Sequence, residues 1–144
     1  EATGQEILDA LEMGSRVTPE ENGGFLQVSG LSYEIHTYIP SSVTLDENGL
    51  FVSVDGEYRV KNVMVGDEAI DLTKTYTLAC HDYLLKNAGD GYTMFQDNNF
   101  LLESFMIDNQ VLINYIVDGL GGVVGQDYAD PHGQGRIVAV ETQP

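Results

Sequence analysis

The sequence predicts an α+β fold with mixed or antiparallel sheets and flanking helices. Three observations carry that prediction. A capping box opens the chain on a helix: Thr3 offers a hydroxyl and Glu6 a carboxylate three residues later. Asn48-Gly49, with β-branched residues on both sides, is a strong hairpin signal. Strand-like and helix-like segments alternate without a regular βαβ repeat, which disfavours a doubly wound parallel sheet.

After the capping box, Ile7, Leu8 and Leu11 recur at helical spacing and Gly14 is a stop signal, so a short amphipathic helix is expected over about residues 4–13. The polar stretch "SRVTPEENGG" leads into "FLQVSGLSYEIHTYI". There Leu26, Val28, Leu31, Tyr33 and Ile35 alternate on either side of Gly30, predicting a strand with a bulge or a close approach at the glycine. "YRVKNVMV" predicts another strand, turned by Gly66-Asp67 into the short strand "EAIDL". "KTYTLACHDYL" reads as a buried strand ending near His81. Asp108 is the expected cap of a last helix, with Val111, Leu112, Tyr115, Ile116 and Leu120 on one face and Gly119, Gly121 and Gly122 ending it. "GQGRIVAV" is the expected closing strand. No internal repeat or low-complexity tract interrupts this order, and the whole of residues 1–144 is read as a single domain.

Composition narrows the function. In 144 residues there are 23 acids and 6 bases, a formal charge of −17. Such a chain is badly suited to non-specific nucleic-acid binding, which relies on Lys and Arg neutralising phosphates, and to anionic membrane surfaces. Its hydrophobic fraction of 42% is ample for a core. No stretch approaches the ~18 apolar residues of a membrane span. The single cysteine, Cys80, excludes an internal disulfide and a CxxC metal site, and its place in "TYTLAC" predicts a buried thiol.

The three histidines, His36, His81 and His132, lack metal-ligand spacing. "DENG" and "DYADPHGQG" hold acids without the ligand spacing of an EF-hand, so at most a weak surface calcium site is expected. No GxSxG, GxGxxG or P-loop is present, and "GLGGVVG" follows a helix rather than opening one, the wrong polarity for capturing an anion. Two constellations remain. "NGGFLQVSG" launches Phe25 from a double glycine; as a plain core residue Phe25 begins a strand. "HDYLLKNAGDGYTMF" gathers Tyr83, Asp90 and Tyr92 about a tight loop, where an Asp commonly caps its own backbone. Functionally, two aromatics and a carboxylate suit a cleft that stacks a planar base and accepts hydrogen bonds from sugar hydroxyls.

Together "GGFLQVSGLSYEI", "YRVKNVMVGDEAIDLTKTYTLACHDYLL", "NAGDGYTMF" and the terminal "GRI" resemble the C-terminal domain of the 5′-nucleotidase family, which includes UDP-sugar hydrolases and 2′,3′-cyclic-nucleotide phosphodiesterases. The resemblance covers nearly the whole chain, and the opening "EATGQEIL" looks like the interior of a longer protein, so an N-terminally truncated C-terminal domain is expected. It implies an N-terminal metallophosphoesterase domain whose two metal ions activate water for attack on phosphorus, while the C-terminal domain recognises the nucleoside and rotates. No cofactor is expected within these residues.

Residue by residue, the resemblance implies that Phe25 and Tyr83 form the two faces of the base clamp and that Asp90 binds ribose hydroxyls, with Tyr92 packed beneath the loop. Ala88 stands where the family usually has glycine, and "YLLKNAGD" is one residue longer than its commonest spacing. The family's metal ligands and catalytic histidine have no counterpart here, and Arg16 and Arg59 match none of its ribose- or phosphate-binding motifs. The resemblance further implies a nucleotide or nucleoside substrate, an extracellular, cell-surface or periplasmic location, and a fragment inactive alone. A homodimer through truncated edges is also expected. The competing expectation is a non-catalytic extracellular interaction module that kept the fold.

Overall fold

The computed structural model describes residues 1–130 and 133–143. A first strand, β1 (Ala2–Thr3), runs into helix α1 (Gly4–Ser15), and the predicted capping box is formed: the Glu6 amide donates to the Thr3 hydroxyl, and the Glu6 carboxylate accepts from the Thr3 amide at 2.7 Å. The helix continues through Gly14, with Arg16 as its C-cap.

Next come β2 (Leu31–His36), the hairpin β3 (Val43–Leu45) and β4 (Phe51–Val54), then β5 (Val60–Val65), β6 (Glu68–Ala69) and β7 (Thr75–Tyr76). Asn48-Gly49 turns the β3–β4 hairpin, aided by the Asp46 carboxylate, which accepts from the Asn48 and Leu50 amides at 2.9 and 2.8 Å. Gly66-Asp67 turns β5 into β6. A mixed four-stranded sheet has the order β6-β5-β2 and ends on β8 (Ile137–Val140), which pairs parallel with β2, whereas β2 and β5 are antiparallel. The irregularity expected near Gly30 is a register shift between Ser32 and Glu34.

Helix α1 lays Ile7, Ala10, Leu11 and Met13 on a core completed by Tyr33, Ile35, Phe51, Val60, Val63, Tyr92 and Phe95. One acid lies inside this face. Glu12 is 0% exposed, and its carboxylate accepts from the Arg59 and Val60 amides at 3.1 and 2.8 Å, tying α1 to the start of β5. Burial pushes its carboxyl above the ordinary value, against the lowering effect of those N–H groups. The buried Arg59 guanidinium donates to the carbonyls of Ser15, Arg16 and Thr37, closing the C-terminus of α1.

Four expectations need correction. Residues 25–28 form no strand: the Phe25 amide bonds within a turn to the Asn22 carbonyl, and Leu26 and Val28 pack beside α1 instead. Of "KTYTLACHDYL" only Thr75–Tyr76 is strand, because its partner β1 supplies just two residues. The chain beyond it is open, so Cys80 is exposed rather than buried. After the short helix α2 (Asp82–Leu85), the last predicted helix forms as α3 (Asp108–Asn114), continuing as one wider π turn over Tyr115–Gly119. Asp108 is its first residue rather than its cap; the cap position is Ile107. Its apolar face does not join the core: Leu112 is 60% exposed, and so are its neighbours Phe105 at 71% and Ile107 at 69%.

Candidate functional site

The glycine-framed loop follows helix α2 (Asp82–Leu85), whose N-cap is the exposed His81. Three residues of the loop sit in the left-handed region: Ala88 (φ 48°), Asp90 (φ 52°) and Gly91 (φ 89°). Glycine enters that region without strain and Asp tolerates it through its short polar side chain, whereas a residue such as alanine gives up roughly 1–2 kcal/mol. The backbone at Ala88 thus gives the physical reason why glycine suits that position. The turn is closed by the Gly91 amide donating to the Ala88 carbonyl at 2.9 Å.

The folding of the loop presents Asp90 outward while its neighbours are buried. Its Oδ1 accepts from the Tyr83 hydroxyl at 3.2 Å. The hydrogen bond therefore comes from the aromatic one helix earlier, not from the loop's own N–H groups. Tyr83, 52% exposed, lies with its ring flat on Gly89: a Cβ there would be 2.3–2.5 Å from three ring atoms. The other side of Asp90 meets the turn that precedes Phe25. A Cβ on Gly24 would lie 2.9 Å from the Cβ of Asp90, so the glycine lets main chain approach the acid closely. Sequence positions 24 and 90 thus become neighbours.

Phe25 itself is half-buried and packs against the core cluster. Asp90 and Tyr83 are joined directly, and Phe25 is brought close through its preceding glycine, with part of its ring spent on packing. Tyr92 is fully buried, and its hydroxyl donates to the Gly24 carbonyl at 2.5 Å. From sequence Tyr92 is expected only to pack beneath the loop; a phenol rather than a phenyl at an interior position is the signal of its further bond. At the outer rim Lys86 pairs with Glu103 and lies over the Phe100 ring, 5.4 Å from its centroid.

Behind the loop, an apolar cavity of about 90 Å³ lies between α1 and residues 26–31 and 78–84, lined by Leu11, Leu26, Val28, Leu78, Cys80 and Tyr92 among others. Ligand pockets usually offer about 300–1,000 Å³. A nucleobase needs the open side of the loop instead.

His36 is held by Glu34 and Tyr38, each at 2.8 Å, while His81 stands apart and His132 lies outside the described residues. Among the described residues no three His, Cys, Asp or Glu side chains converge on a metal position. The acid loop "DYADPHGQG" likewise lies partly outside the described residues. No helix among them is long and apolar enough to cross a membrane.

Comparison with known proteins agrees with this architecture. A 5′-nucleotidase precursor from Thermus thermophilus matches with a TM-score of 0.72 and 27% sequence identity; the match covers 99% of this chain and 24% of that one. No curated protein matches. The family model for the 5′-nucleotidase C-terminal domain matches residues 1–97, from the capping box through the whole glycine-framed loop. The chain belongs to the 5′-nucleotidase C-terminal domain family.

Proposed function

We propose that this chain recognises the nucleoside of a nucleotide substrate for a metal-dependent phosphohydrolase of the 5′-nucleotidase type. The observation that carries the reading is Asp90: an exposed carboxylate on left-handed backbone, hydrogen-bonded to the half-exposed Tyr83 and pressed against Gly24. Backbone strain of this kind persists where surrounding contacts over-determine it, and such places cluster at binding sites. In this reading Asp90 accepts hydrogen bonds from the ribose diol, and Tyr83 supplies one aromatic face for the base. The exposed edge of Phe25 supplies the other. The phosphoryl chemistry belongs to a metallophosphoesterase domain of the same protein, a secreted or surface-exposed enzyme. The apolar side chains around Phe105–Leu112 support a partner surface of this kind, since contiguous exposed apolar residues generally mark contacts.

Adenosine titration followed by NMR tests the reading. Shifts are expected at Phe25, Tyr83 and Asp90. The Asp90→Asn variant, which loses a charged acceptor, should weaken binding by roughly tenfold or more. Shifts confined to other residues, or an Asp90→Asn variant that binds as tightly, would overturn it. The chain alone is expected to release no phosphate from AMP with Mn²⁺ or Zn²⁺ added; turnover that survives repurification contradicts the assignment of catalysis to another domain.

A further inference from the structure

We propose that Tyr92 is a positioning residue for the nucleoside clamp, its hydroxyl fixing the Gly24 carbonyl and so the spacing between the Phe25 turn and the Asp90 loop. This rests on the nucleoside reading above and adds a residue that touches no ligand.

The hydroxyl is what needs explaining. Tyr92 is 0% exposed among core residues, where a phenylalanine fills nearly the same volume without the cost of burying a polar group. That hydroxyl is spent on one long-range contact, to a carbonyl 68 residues earlier in the chain at 2.5 Å. Burial pushes the phenol well above its ordinary pKa, so it remains a donor across the physiological range.

The carbonyl it holds belongs to the residue packed against Asp90. On its other flank the same turn is held by Asn22. The Asn22 side-chain oxygen accepts from the Gly24 amide at 3.1 Å, and its side-chain nitrogen donates to the Gly14 carbonyl of α1 at 2.7 Å. The Phe25 amide donates to the Asn22 carbonyl at 3.0 Å. Gly24 is therefore clamped between two side chains, Asn22 anchored on α1 and Tyr92 from the loop that bears Asp90. No sheet ladder holds this stretch, because residues 22–30 form no strand. The spacing of a base slot between Phe25 and Tyr83 depends on these side-chain bonds.

The test compares wild type with Tyr92→Phe and, independently, Asn22→Ala. Two ligands separate the roles: adenosine, and methyl β-D-ribofuranoside, which carries the sugar diol without a base. In either variant adenosine affinity should fall about tenfold, the scale of one base-stacking contact, while methyl riboside affinity stays within about twofold. Amide exchange of Gly24 and Phe25 should accelerate about tenfold, with Leu11 in α1 unchanged. A proportional loss of both ligands would mean general loosening and overturn the positioning role, as would unaltered exchange at Gly24 and Phe25. A wild type that ignores adenosine while the variants still speed exchange would instead remove the nucleoside reading, and with it the purpose assigned to the bond. If Tyr92→Phe fails to fold, Asn22→Ala carries the same comparison.

Discussion

Gly89→Ala is the most informative single change in the loop. Gly89 lies outside the left-handed region, so alanine is conformationally permitted there and the obstacle is steric. The new Cβ would stand 2.3 Å from Cε1 of Tyr83, against about 3.5–4.0 Å for ordinary carbon contact, so the ring must retreat by more than about 1 Å. Being half-exposed, the ring can swing outward, breaking its bond to Asp90 and giving up its packing. Overpacking of this kind costs about 1–3 kcal/mol, partly offset by the 0.4–1 kcal/mol, roughly, that a Gly→Ala change contributes by restricting the unfolded chain. A net loss of about 1–2 kcal/mol follows, lowering Tm by roughly 2–8 °C for a chain of this size. In a Tyr83→Ala background the clash is gone and only the gain remains, so the same Gly89→Ala change should raise Tm by about 1–4 °C. Thermal melts of the four proteins in this double-mutant cycle give the coupling directly. Equal losses in both backgrounds would refute the packing of Tyr83 on Gly89.

Other expectations follow from the same contacts. Ala88→Val places a β-branched residue at φ 48° and should destabilise by more than about 2 kcal/mol, read from the urea midpoint. Glu12→Gln leaves one of the two amides at Arg59 and Val60 without an acceptor, at a cost of about 1–3 kcal/mol in urea unfolding. The pH dependence separates two kinds of acid. Asp46, Asp55, Asp71 and Glu34 are held below their ordinary values by hydrogen bonds, chiefly from the Leu50 amide, the Ser53 hydroxyl, the Thr73 amide and His36. Their stabilisation is complete above the ordinary values of 3.8 and 4.5 and is lost as pH falls through the depressed ones. Glu12 has a raised value, so its contribution is present below 4.5 and lost as pH rises through the folded value. As pH falls from the raised folded value of Glu12 to 4.5, wild type should therefore gain stability relative to Glu12→Gln, and below 4.5 the two should fall in parallel, measured by urea midpoints along a pH series.

The parts of this fold visible in the sequence are those decided by local chemistry. The capping box and the Asn48-Gly49 hairpin each depend on residues a few positions apart, and both formed where expected. The strands that failed depended on partners. Residues 77–80 have the composition of a strand but only Ala2–Thr3 to pair with, so Cys80 is left at the surface. Residues 25–28 alternate correctly, yet a turn bonded to Asn22 and Tyr92 holds their start away from any ladder. The apolar stripe of α3 correctly signalled a helix, but periodicity cannot say what a stripe packs against, and here it stays open. Arg59, which matches no binding motif in the sequence, satisfies carbonyls at the C-terminal end of α1; its partners are carbonyls, which leave no mark in the side-chain sequence.

The same division explains the site. The sequence picks out Asp90 because glycines flank it, but glycines alone allow many conformations and specify none. What selects one is non-local: the Tyr83 ring on Gly89, the buried phenol of Tyr92, and the Gly24 turn seated against the acid. Two of the loop's left-handed residues, Ala88 and Asp90, are not glycine; Ala88 resists that shape by roughly 1–2 kcal/mol, and Asp90 tolerates it more readily. A loop strained in isolation and held by its neighbours loses its geometry when any one neighbour is altered, even where the fold survives. Variants at Gly24, Gly89 and Tyr92 should therefore share one signature, a loss of ligand affinity larger than their loss of stability, whereas Glu12→Gln should show the reverse.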